Sequence, residues 1–111
     1  MLTQGQVEAE LERLVGAADE VAHDVADRAE DAARAEHAYK IGYARALLRS
    51  EGTVALREAQ ALLSVEAEHL ARKIADAKLL AAQETARTIR TQLDALRSVN
   101  ATVRHAVGAD W

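Results

Sequence analysis

The feature that most constrains this chain is the short stretch Arg49-Ser50-Glu51-Gly52-Thr53-Val54, set between two long helical patterns that contain no proline. Alanine, glutamate, arginine and leucine are abundant, and all four favour helix. Gly52 can take the left-handed backbone conformation that ends a helix without steric cost. Thr53 follows at once and is suited to cap the next helix by accepting a backbone N–H on its hydroxyl. Runs of β-branched residues with period-two alternation are missing, so strands are not expected. The 111 residues have room for one domain. The chain therefore reads as all-α, a long antiparallel helical hairpin of coiled-coil type. The first helix is expected over about 3–50, the bend at 50–53, the second helix over about 54–106, and a frayed tail at 108–111.

Taken in order, Thr3 and Gln6 have the spacing of a capping box, in which each side chain satisfies a free backbone N–H of the other residue. Val7, Leu11, Leu14, Ala18, Val21 and Val25 then alternate at spacings of four and three, a heptad seam. Gly16 lies inside it, costs about 1 kcal/mol relative to alanine, and reads as a kink or a close backbone approach. The seam thins to candidates Ala29, Ala32, Ala33 and Ala35, then regains bulk at Tyr39, Tyr43, Ala46 and Leu47. The second arm reads Leu56, Ala59, Leu63, Ala67, Leu70, Ile74, Ala77, Ala81, Thr88 or Ile89, Leu93, Leu96, Val99 or Asn100, and Val103. Ser64 is placed to cap a separate start, which admits a short helix over 53–63 before a longer one. Gly108 fits a stop signal. Leu48, Leu62, Leu79 and Leu80 fall outside the seam and would stay wet in a lone hairpin. Self-association is expected, most simply two hairpins forming a four-helix bundle.

Composition excludes several function classes. There is no cysteine, so disulfides, thiol catalysis and thiolate zinc sites are excluded. The N-terminus lacks a basic region followed by an apolar run, so a secretory signal is not expected. No segment approaches the ~18 apolar residues needed to cross a bilayer. A soluble cytoplasmic protein without membrane contact is the expectation. Up to Lys40 the chain carries ten acidic residues against four basic ones; beyond it, basic residues outnumber acidic ones. In an antiparallel hairpin this reads as charge complementarity between the arms.

Two constellations are candidate binding sites. Arg90, Arg97 and Arg104 recur every seven residues, and Arg87 sits near Arg90. Such a stripe can track nucleic-acid phosphates, or pair with carboxylates around Glu8 and Glu12. Tyr39, Lys40, Tyr43, Arg45 and Arg49 cluster before the bend. They join aromatic faces to cations, as a ligand or partner site does, although the tyrosines also read as the bulky end of the seam. Two Glu-x-x-His pairs, Glu20/His23 and Glu66/His69, have the spacing of helical di-iron ligands. They fall far apart in one hairpin, and no metal or cofactor is expected. Ser50, Ser64 and Ser98 lack a nucleophile-elbow context, and no glycine-rich phosphate loop occurs. No catalytic residue is assigned, and the chain reads as a non-enzyme.

The stretch Tyr39-Lys40-Ile41-Gly42-Tyr43-Ala44-Arg45-Ala46-Leu47-Leu48-Arg49-Ser50-Glu51-Gly52-Thr53-Val54, followed by Arg57-Glu58-Ala59, is similar to a known group. So is Ile89-Arg90-Thr91-Gln92-Leu93-Asp94-Ala95-Leu96-Arg97-Ser98-Val99-Asn100-Ala101-Thr102-Val103-Arg104. Together these segments, within residues 36–104, resemble small all-helical proteins of tailed phages and prophages, often encoded near single-strand annealing or recombination genes. The resemblance implies a viral origin, the cytoplasm of a bacterial host, and an accessory role in DNA metabolism. It carries over no catalytic residue. The leading expectation is a non-enzymatic interaction protein acting through oligomerisation and a protein partner. The alternatives are an accessory nucleic-acid-binding protein of phage recombination, and a sponge for small nucleotide signals that counters host defence.

Overall fold

The structure is a computed structural model and describes residues 2–109. Its elements are α1 (Gln4–Arg49), α2 (Val54–Ser64) and α3 (Glu66–Ala109). The fold class is all-α, a helical hairpin of coiled-coil type. The chain divides into two compact units, one of Met1–Val25 with Ala82–Trp111 and one of Ala26–Ala81.

The helix ends are set by local chemistry. At the start of α1, the Thr3 backbone N–H donates to Gln6 Oε1 at 2.9 Å and the Gln6 N–H donates to Thr3 Oγ1 at 3.1 Å, a complete capping box. At the bend, Ser50 Oγ donates to the Ala46 carbonyl at 2.7 Å and Gly52 has φ +110°. Thr53 is extended, and its hydroxyl accepts the Leu56 N–H at 3.2 Å to cap α2. The Arg57 guanidinium reaches back to donate to the Leu47 carbonyl at 3.2 Å. It satisfies one of the carbonyls that the end of α1 leaves open.

Unit 2 pairs the second half of α1 with α2 and the start of α3. Its buried side chains are Ala32, Ala46, Ala61 and Val65. The two helical layers run in opposite directions, because Gly42 meets Val65, Tyr39 meets His69, and Glu36 meets Arg72. On the α2–α3 side, Arg57 and His69 are partly withdrawn from solvent, and Ala61, Val65, Glu68, Arg72, Ala75 and Leu79 are also withdrawn. The spacings of these last six alternate four and three, so they form a true heptad row. In unit 1, Val7, Leu14, Ala82 and Leu93 are buried. Leu11, Ala18, Val21 and Val25 flank them from α1; Ala86, Ile89, Leu96, Asn100 and Val103 do so from α3.

Several expectations need correction. Leu63, Leu70 and Ile74 are not seam residues: they are 74%, 59% and 47% exposed. Leu56, Ala59, Ala67, Ala77 and Ala81 are exposed with them, and so are Ala29 and Ala33 on α1. The row that faces α1 is the one through Ala61, Val65, Arg72, Ala75 and Leu79, about half a turn from Leu63 and Leu70. Where that row meets Gly42 the helices approach closely: a Cβ added there would lie 3.1 Å from Val65 Cγ1. The seam takes Ile89 and Asn100, not Thr88 and Val99, and Leu79 lies in it. Gly16 is no close approach, since a Cβ there would meet nothing within 4 Å. A break does separate α2 from α3 at Val65, but Ser64 does not cap α3: its hydroxyl donates backward to the Gln60 carbonyl at 2.9 Å. Gly108 does not stop α3, which runs to Ala109. Of the tail expected to fray, Asp110 and Trp111 lie outside the described residues. Among the ion pairs described, Arg72–Glu36 is the one that joins two helices; the others lie three or four residues apart on one helix.

Candidate functional site

Unit 2 gathers a polar cluster in its seam. Tyr39 stands at its centre, half-buried on α1. The His69 ring lies 5.3 Å from the Tyr39 ring, and the Arg72 guanidinium carbon lies 5.4 Å from the same ring. A guanidinium at that distance over an aromatic face is a cation–π contact. Tyr43 stacks one turn on, with centroids 6.4 Å apart. Glu36 closes the cluster, 2.9 Å from Lys40 Nζ and 3.9 Å from Arg72. The Lys40 hydrogen bond, then the charges of Lys40 and Arg72, hold the Glu36 carboxyl below its ordinary range. His69 Nδ1 is buried without a hydrogen-bond partner.

Of the five residues expected to cluster here, Tyr39, Lys40 and Tyr43 come together. Arg45 and Arg49 are exposed, and no described contact joins them to the group. His69 and Arg72 enter from α3 in their place. The signal for Arg72 was the heptad row through Ala61, Val65, Glu68, Arg72 and Ala75, which carries two charged residues and so does not read as a seam; His69 lies beside that row, next to Glu68. Chemically the cluster is a set of stacked faces: no hydrogen bond among the described residues links a nucleophile to a base.

The arginine row lies on α3 in unit 1. Arg90 borders a groove of 180 Å³ lined also by Ala18, Val21, Ala22, Ala86 and Leu93. It borders an adjoining groove of 380 Å³ with Val25, Gln83, Ala86 and Arg87. Arg87 pairs with Glu84 at 2.7 Å and Arg97 with Asp94 at 3.7 Å, all on α3. Arg90 and Arg104 are exposed and have no ion pair among the described residues. Among the described residues, no ion pair joins this row to Glu8 or Glu12 of the same chain, contrary to expectation.

His23 is exposed, with Nδ1 2.8 Å from the Asp19 carbonyl. His69 lies in the seam of the other unit. No group of three or more His, Asp or Glu side chains gathers as metal ligands among the described residues. No helix among them is long and apolar enough to cross a membrane.

The third surface is the outer face of α2 and α3 in unit 2, where Leu56, Leu63 and Leu70 stand exposed and Ile74, at its edge, borders a groove with Arg28 and Asp31 of α1. The three leucines fall about half a turn from the seam row at about 100° per residue. The helix is thus apolar on two opposite sides. No protein-family model, no curated protein and no solved structure matches this chain.

Proposed function

We propose that this chain is a non-enzymatic helical interaction protein, of the phage type its sequence resembles, that acts by associating with itself and with a protein partner. The observation that carries the reading is the second apolar stripe. Leu56, Leu63, Leu70 and Ile74 are exposed on a helix whose own seam is already filled by Ala61, Val65, Ala75 and Leu79. A row of large aliphatic side chains in water, repeating at helical spacing, is the surface another helix buries. The polar cluster around Tyr39 supports the same reading. The stacked residues spend their faces on each other and are half-buried, as seam residues are, which weakens the case for a nucleotide pocket there.

Light scattering on the wild type and on L63K/L70K tests the proposal. The wild type is expected at a multiple of its 12.0 kDa chain mass. L63K/L70K is expected to lose mass or partner capture while keeping its helix content, because neither side chain is in the seam. An unchanged mass together with unchanged capture would remove the stripe from the mechanism. The second reading, nucleic-acid binding, is favoured by the exposed Arg90 and Arg104. It predicts single-stranded DNA binding that weakens steeply as salt rises.

A further inference from the structure

The groove around Arg90 fixes which side chains border one face of unit 1. Ala22 stands on its α1 edge and Arg90 on its α3 edge. Residues seven apart share a face of a coiled-coil helix. Val15 and Glu8 therefore continue the row of Ala22, and Arg97 and Arg104 continue the row of Arg90. Glu12 and Asp19, four residues beyond Glu8 and Val15, stand beside the α1 row. The face is divided lengthwise, with carboxylates along α1, guanidiniums along α3, and an apolar floor between them. Val15 is 54% exposed among the carboxylates.

Some of these charges have local company: Arg97 has Asp94 at 3.7 Å, and Asp19 has His23 at 3.9 Å. Arg90 and Arg104 on one edge and Glu12 on the other have no ion pair among the described residues. A face of this kind is complementary to itself. A half-turn about an axis along the helices lays each acidic edge on the other copy's arginine edge, as an isologous twofold interface requires. The levels also agree. The groove sets Ala18 and Ala22 beside Ala86 and Arg90, and the helices are antiparallel, so seven residues forward on α3 is seven back on α1. Arg90 then meets Val15 and Asp19 of the second copy, and Arg97 meets Glu8 and Glu12 of the second copy. A nucleic acid would meet the same carboxylates as a repulsive row beside the arginines.

We infer that unit 1 pairs with unit 1 of a second copy through this face, arginine edge on acidic edge, with Val15 and Ala22 closing the apolar floor; this rests on the self-association proposed above. The test is sedimentation equilibrium at low salt on R90E/R97E, on E12R/D19R, and on an equal mixture of the two. The substituted positions are all exposed, so helix content by circular dichroism should be unchanged. Each variant alone sets like charges together at both symmetry-related contacts, and its dissociation constant is expected to rise about tenfold or more. The mixture restores opposite charges at both contacts, and its heterodimer is expected within about threefold of the wild type. Either variant pairing like the wild type would overturn the inference, as would a mixture no tighter than its components. The two proposals fail differently. A wild-type chain that stays single at every concentration removes both. A wild-type assembly that loses mass with L63K/L70K but ignores both charge reversals removes only this one.

Discussion

Gly42 and Gly16 sit in the same helix and do opposite things. At Gly42, an added Cβ would lie 3.1 Å from the Val65 methyl, and Val65 is itself buried at the helix break. A side chain there must move Val65 or separate the helices. Gly42→Leu should destabilise by about 1–3 kcal/mol through overpacking. At Gly16 an added Cβ meets nothing within 4 Å. Gly16→Ala should stabilise by up to about 1 kcal/mol, because alanine gains the helix propensity glycine lacks. Urea denaturation of the two variants checks both signs. A stabilised Gly42→Leu would mean that the seam is looser there than the Gly42–Val65 approach requires. The caps at Thr3–Gln6 and at Thr53 were legible in the sequence because each bond spans three residues of the same strand of chain. Gly42 was not legible, because the atom that explains it comes from another helix.

The elements carry a different lesson. In α1 and in the last part of α3, most of the large aliphatic side chains fall in one heptad row, with Val15, Ile41, Leu48 and Val99 outside it, so periodicity alone located Val7, Leu14 and Leu93 in the core. In α2 and the first part of α3 there are two rows. The bulkier one, through Leu63 and Leu70, faces water, and the one through Ala61, Val65, Arg72 and Ala75 faces α1. Periodicity gives the spacing of a stripe but not which of two stripes a neighbour covers. Close approach makes the choice at one level only: a Cβ at Gly42 would lie 3.1 Å from the Val65 methyl, which leaves little space for a larger side chain there, while Arg72 and Leu79 are accommodated further along the same row. Leu93 and Leu70 should therefore respond differently to the same change. Leu93 is 7% exposed. Leu93→Lys removes its packing and forces a charge into the seam, costing about 2–5 kcal/mol for the lost side chain alone. In the dissociated chain, at protein concentrations below those at which it self-associates, Leu70→Lys should shift stability by no more than about 0.5 kcal/mol, as surface changes do. Thermal melts followed by circular dichroism separate the two. Equal losses would return Leu70 to the seam.

Across the whole molecule, charge works mostly over short distances. The net charge is −4, yet the described ion pairs lie within single helices except for Arg72–Glu36. Two carboxyls are held below their ordinary value of 4.5: Glu10 by its hydrogen bond from Arg13, and Glu36 by Lys40 and then Arg72. The sign of the resulting pH dependence follows from linkage. A carboxyl whose folded value is depressed binds its proton less readily when folded. Its contribution is present above the unfolded value and is lost as pH falls through the folded one. The melting midpoint should therefore hold from neutral pH down towards 4.5 and decline below it. Removing the two carboxylates in E10Q/E36Q should lower the midpoint at neutral pH and flatten the acid limb. Because both groups are solvent-exposed pairs, the slope should also shrink as salt screens them. Melts of the wild type and E10Q/E36Q over a pH series at two ionic strengths check this. An acid limb equally steep in both proteins would place the pH dependence in other carboxylates, most directly the acidic rows of α1.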